Sequence, residues 1–252
     1  MSKISLILHP MENIKDILLH TGIVRYLYET EENEIIYIIT NEFKTLLKKH
    51  FCDLENLQYE VLPDFSTKSI FRLIMGKFKN VKTRHFLGSF DKFRLDKQKS
   101  ICKEYNPETF NPYTLYGFDE SIQYSYFKTN CCENDDAHLL KIIKSVANWD
   151  YRVFSNGANI PVKYKRNSVI ALHVDKVFKE TNFFDSLVLI EKTKYVHTTD
   201  SDDFGMFIYY LFKSNQYDYL FDKTKMFVFY SGDEPKYNDY PDSWNVIKYI
   251  PE

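Results

Sequence analysis

Glycine is scarce in this chain, with 7 in 252 residues, and no three of them fall within one short loop. A GxGxxG turn is therefore absent, and a dinucleotide-binding fingerprint of that kind is not supported. Cysteine is equally thin. Cys52, Cys102, Cys131 and Cys132 lack paired CxxC spacing, which argues against a zinc site. Adjacent Cys131 and Cys132 could close a strained vicinal disulfide, but free thiols in a reducing cytoplasm are the expectation. There is no basic excess: Lys and Arg number 33 against 35 Asp and Glu, a net charge of -2. Nothing in that balance points to nucleic acid as a partner. No apolar run is long enough to span a bilayer. The N-terminal run Ile4 to Leu8 is too short for a signal peptide. A cytoplasmic protein without an integral membrane segment is the expectation.

The chain is 44% hydrophobic and 27% charged, ordinary for a folded protein. Aromatic residues are abundant, with 20 Tyr and 21 Phe. Together with many Lys, Asn and Ile they are what an AT-rich genome produces, so they carry little functional weight. The length suits one large domain or two small ones.

The first half alternates short apolar runs with helical patterns. Lys3 to His9, Glu34 to Thr40 and Leu57 to Leu62 read as strands, with a further strand near Thr83 to Leu87. Helices are expected over Ile14 to Glu29, over Glu42 to Phe51 with Asn41 as its cap, and over Thr67 to Phe78. Continuous rather than alternating apolar strands indicate a parallel sheet covered on both faces. Right-handed crossovers then give a Rossmann-like layer. Ligands of such sheets sit beyond the carboxyl ends of the strands. That makes the loop and first helical turn from His9 to Asp16 a candidate site. Asp16 has two readings there: a carboxylate favoured by the helix dipole, or a catalytic group.

Ser89 to Asn111 reads as a surface excursion punctuated by Pro107 and Pro112. Tyr113 to Tyr126 is aromatic-rich, with Asp119 a candidate helix cap. Lys128 to Asp136 is polar and suits an interdomain linker, which divides the chain into domains 1–132 and 133–252. Beyond it come a helix over Ala137 to Asn148 and strands over Tyr151 to Phe154 and Val169 to Leu172. A helix over Phe184 to Lys192 and a strand over Tyr195 to Thr199 follow. A helix over Asp203 to Phe212, a strand over Met226 to Tyr230 and an extended segment over Trp244 to Ile250 complete the pattern. The fold expected is α/β, two Rossmann-like layers facing a cleft, the C-terminal one small.

Two stretches of the second half suit an anionic ligand. The loop Ser155 to Arg166, SNGANIPVKYKR, follows a strand and combines small Asn156 and Gly157 with the cation Lys163. In YVHTTDSDDFGMF, Tyr195 to Phe207, a strand runs into a helix start marked by Asp200 and Ser201, where capping residues and free N–H groups meet. A solvated loop and a ligand-free αβ turn are the alternatives.

The order of these features resembles the GT-B-type glycosyltransferases, in particular heptosyltransferase-like proteins and short bacterial and giant-virus glycosyltransferase-like proteins. The stretch HPMENIKDILLHTGIVRYL, His9 to Leu27, resembles that group's HPGLGDHI loop and NGLVRHL helix. Gly22, Val24 and Arg25 fall on the helix, and Asp16 falls on the loop aspartate. Asn13 and Lys15 stand where that loop has glycines. FDES, Phe118 to Ser121, resembles the group's FDE segment. IEKTKYVHTTDSDDF, Ile190 to Phe204, is similar to the donor-contacting segment, with Asp200 and Ser201 matching and Gly205 standing where that segment has His. Lys163 falls on a loop lysine.

What the resemblance implies is metal-independent transfer of a sugar from a nucleotide-sugar donor to a hydroxyl of a glycan or other acceptor. Asp16 is then the general base, and Asn156, Gly157, Lys163, Asp200, Ser201 and Asp202 lie at the donor. The donor is a co-substrate, and no cofactor is implied. The replaced glycines and His allow a second reading, a degenerate relative that binds a nucleotide sugar or a partner without turnover. A phosphate-binding α/β protein of another class is the third. Composition and resemblance are both compatible with a viral source, in which case the compartment is the host cytoplasm.

Overall fold

The computed structural model describes residues 4–8, 13–64, 66–81, 83–86, 113, 117–129, 141, 144, 151–155, 170–174 and 180–250. The chain divides into two compact units, Met1–Phe127 and Lys128–Glu252.

In the first unit the apolar runs become strands β1 (Ile4–Leu8), β2 (Glu34–Thr40), β3 (Gln58–Leu62) and β4 (Thr83–Phe86). They form one sheet in the order β3-β2-β1-β4, every pair parallel. Helices α1 (Ile14–Thr30), α2 (Lys44–His50) and α3 (Thr67–Lys77) supply the crossovers. Side chains alternate across the sheet. Leu6, Leu8, Ile36, Ile38 and Leu62 pack with Ile70 and Phe78 on one face. Ile7, Tyr37 and Ile39 have the opposite parity and are buried as well. Both faces are covered, as the unbroken apolar runs predicted.

Helix α1 fixes the unit. Its buried residues are not all apolar: Arg25 keeps 2% of its surface. The guanidinium grips Asp53 through two bonds of 2.9 and 3.0 Å, also donates to the His50 carbonyl, and lies over the Phe51 ring. Thr21 Oγ1 donates to the Ile17 carbonyl, so His50 Nε2, 2.9 Å away, must carry the proton it shares with that oxygen. Gly22 lets a second segment approach. A Cβ there would lie 2.6 Å from the Ile122 carbonyl and 2.7 Å from the Tyr113 hydroxyl. That segment ends in the short helix α4 (Ile122–Ser125), and Tyr26 meets Phe118 and Tyr126 edge to face. The segments that carry GIVR and FDES thus come together, Gly22 against Ile122 and Tyr26 against Phe118.

Two expected caps differ. Helix α2 begins after Phe43, with Asn41 one turn earlier giving its carbonyl to Lys44 N–H. Asp119 accepts from Ser121 N–H, a turn before α4 whose cap position is Ser121. In both places an overlapping turn precedes the helix, so the expected cap residue sits two positions before the actual one.

The second unit holds β5 (Tyr151–Phe154), β6 (Ile170–His173), β7 (Tyr195–Thr199), β8 (Lys225–Tyr230) and β9 (Asn245–Lys248). Their order is β6-β5-β7-β8-β9, again all parallel. Helices α5 (Ser186–Lys192), α6 (Asp203–Lys213) and α7 (Asp218–Phe221) are described, α5 preceded by a 3-10 turn over Glu180–Asp185. Most of α6 is buried, and Phe207 packs against Phe183 and Phe184. Four aligned rings cross the sheet. His173 stacks on Phe154, Phe154 on His197 at 4.6 Å, and His197 on Phe227 at 4.6 Å. Among the described residues no helix is long and apolar enough to cross a membrane.

Candidate functional site

In the first unit, Asp16 stands in the first turn of α1, which opens at the carboxyl edge of β1. The sequence builds this turn as a reciprocal cap. Asn13 Oδ1 accepts from Asp16 N–H at 3.1 Å, and Asp16 Oδ2 accepts from Asn13 N–H at 3.3 Å. The carboxylate is half-buried and lies at the positive end of a 17-residue helix. One turn on, His20 Nδ1–H donates to the Asp16 carbonyl at 2.7 Å, which fixes that tautomer because a carbonyl can only accept. Burial pushes His20 down to about 4 despite that bond, so the ring is neutral near pH 7. Asp16 is held in place by its own helix and presents an oxygen-only acceptor, the requirement for taking a proton from a hydroxyl.

In the second unit the carboxyl edge is where β7 runs into α6. The helix is capped by Asp202, two and one residues after the expected Asp200 and Ser201. Asp202 Oδ1 accepts from Gly205 N–H and its Oδ2 accepts from the Thr199 hydroxyl, at 2.6 and 2.7 Å. The reason for the shift is Gly205. A Cβ there would fall 1.7 Å from the Thr199 carbonyl, so glycine alone lets the first turn of the helix close on the strand end. Asp200 is buried and bonds elsewhere, its Oδ2 accepting from Lys236 N–H at 2.7 Å. Ser201 is exposed at the turn between them. The DSD spacing therefore places its two carboxylates on different partners.

Sequence reasoning missed the chain that Asp200 holds. Residues 231–244, between β8 and β9, fold over α6. Tyr237 stacks on Tyr209 at 3.7 Å, Tyr240 meets both edge to face, and Asp239 accepts from Tyr209 Oη and Lys213 Nζ, each at 2.7 Å. Burial opposes ionisation of Asp239, yet the bonds from Lys213 and Tyr209 prevail and lower its pKa. Burial raises Tyr240 and Tyr249, and the carboxylates of Asp200 and Asp202 add to both effects. A polar, tyrosine-bearing loop beyond a parallel strand was the available signal.

Asn156, Gly157 and Lys163 lie outside the described residues, as do His9 to Glu12. Among the described residues no three His, Cys, Asp or Glu side chains converge as metal ligands would.

The architecture, two all-parallel Rossmann-like sheets in succession, is that of a GT-B-like α/β fold. It is similar to the crystal structure of the glycosyl transferase family 9 from Veillonella parvula DSM 2008, with a TM-score of 0.55 and 11% identity over 98% of this chain and 88% of that one. No family model and no curated protein matches the sequence.

Proposed function

We propose that this chain is a glycosyltransferase-like protein, moving a sugar from a nucleotide-sugar donor to an acceptor hydroxyl without a metal ion. The observation that carries the reading is Asp16, a half-buried carboxylate fixed by Asn13 at the carboxyl edge of the first sheet. The fold's similarity to a chain named as a glycosyl transferase supports it. In the reaction the acceptor hydroxyl gives its proton to Asp16 as its oxygen bonds to the anomeric carbon. The bond from that carbon to the donor phosphate breaks, and the nucleoside diphosphate leaves. Lys163 offsets the developing negative charge, and Asn156, Gly157 and Ser201 line the donor.

One observation favours the second reading, a binder without turnover. The cap of α6 is filled by Asp202, so the Gly205 N–H is already taken by a carboxylate. A diphosphate at that turn would meet Asp200 and Asp202 as like charges unless the pair faces sugar hydroxyls.

The test is nucleotide release from a panel of UDP-, GDP-, ADP- and CMP-sugars, with a thermal-shift measurement alongside. Transferase action requires release that EDTA leaves unchanged and that Asp16→Asn abolishes. The Asn side chain can still accept from Asn13 N–H, so α1 stays capped. A thermal shift lost in Lys163→Ala but without release assigns the second reading. No shift with any nucleotide, and a shift with a simple phosphoester, returns the chain to the phosphate-binding class.

A further inference from the structure

The buried side of α3 serves the core through Ile70, with Leu73 and Ile74 packed against it. The opposite side has no such use. Lys68, Phe71, Arg72 and Met75 recur at spacings of three and four, which gathers them into one stripe. All four are exposed, and Phe71 keeps 61% of its surface and Met75 45%. Four large apolar side chains are exposed among the described residues, and only these two share a helix. Lys79, just past the helix end, is exposed too. Among the described residues none of Lys68, Arg72 and Lys79 is in an ion pair, whereas neighbouring Lys77 is held by Glu60. The helix itself has no acidic residue, in a chain whose net charge is -2.

Two apolar side chains flanked by unpaired cations on one short helix face match the chemistry of an anionic lipid surface. We infer that the outer face of α3 docks on such a surface, Phe71 and Met75 entering the boundary between headgroups and acyl chains while Lys68, Arg72 and Lys79 meet lipid phosphates. A second copy of this chain fits less well. A twofold contact would set the same cations against each other. The contact is peripheral, since α3 is an 11-residue helix whose inner face stays in the core. The inference does not depend on the catalytic reading.

Vesicle flotation of the full chain tests it, with phosphatidylcholine alone and with phosphatidylcholine mixed with phosphatidylglycerol. The wild-type chain floats with the mixed vesicles, not with phosphatidylcholine alone, and less as salt rises. K68E/R72E weakens binding about 30-fold or more, since each cation near such a surface is worth about fivefold. F71S/M75S weakens it at least about tenfold by removing the inserted groups. Both variants change exposed positions only, and unchanged melting temperatures verify their folds. The inference is overturned if the wild-type chain ignores the mixed vesicles, binds phosphatidylcholine alone equally well, or keeps its binding in both variants. A dimer in light scattering that F71S/M75S dissolves, with no flotation, assigns the stripe to a second copy instead.

Discussion

Acidifying the protein from pH 7.5 to 5.0 is expected to weaken its second unit through His197. That ring has no exposed surface and lies between Phe154 and Phe227. Burial, assisted by the Arg152 charge, pushes it from the ordinary 6.5 down to about 4. The folded-state value is the lower one, so the unfolded chain binds the extra proton between those two values. The stabilisation is complete above pH 6.5 and falls as pH drops toward 4. At pH 5.0 the unfolded imidazole is almost fully charged and the folded one almost neutral, a loss of about 2 kcal/mol. Urea unfolding followed by tryptophan fluorescence reads this unit, because both tryptophans, Trp149 and Trp244, belong to the second half of the sequence. His197→Phe keeps a flat ring in the stack and removes the titration. Carboxylates titrate in both proteins and cancel in the comparison. The wild-type chain therefore loses about 2 kcal/mol more than His197→Phe over that interval. Equal losses would refute the assignment of a buried neutral imidazole.

Glycine replacements are expected to separate sharply. Gly205→Ala prevents α6 from closing on Thr199 and leaves little soluble protein, and Gly22→Ala costs about 1–3 kcal/mol or more in urea unfolding, because backbone and a buried hydroxyl crowd its Cβ. Gly76→Ala in α3 meets nothing within 4 Å and stabilises by about 0.5–1 kcal/mol, read as a higher urea midpoint. Asp53→Asn leaves the Arg25 guanidinium buried against a neutral partner and costs about 3 kcal/mol, the low end for a broken buried pair since Asp53 keeps a quarter of its surface. Asp202→Ala loses a cap, about 1 kcal/mol by thermal unfolding, and Asp202→Ser restores most of it.

The strands were legible because the sheets are buried on both faces. EIIYIIT and YVHTT have no competing period, and β2 and β7 occupy the residues expected. Helices α1, α2, α3, α5 and α6 were legible to a residue or two from apolar spacing, four-residue α7 was not, and the helix expected over Ala137 to Asn148 lies outside the described residues apart from Lys141 and Lys144. Caps were harder. Asp200, Ser201, Asp202 and Asp203 are all good capping residues, and only the close approach at Gly205 decides for Asp202. Asp16 was visible as a helix-start carboxylate, but its reciprocal bond to Asn13 depends on the backbone angles of the turn. The clamp of Asp200 on Lys236 joins residues 36 apart, and no local pattern encodes such a contact. The same holds for Arg25 and Asp53, where the sequence offers one basic residue on an apolar face and many acids to choose from.

The four stacked rings have a consequence for assembly of the second sheet. His173, Phe154, His197 and Phe227 are directly paired neighbours on β6, β5, β7 and β8. Sliding any one strand by a single residue would turn its ring to the other face and put Leu172, Val153, Val196 or Met226 in its place. Flat rings stacked with centroids 4.6 to 5.4 Å apart tolerate no such substitution without opening a gap in the row. The row works as an alignment key: strands brought together by apolar runs that would pair in several offsets are admitted in one.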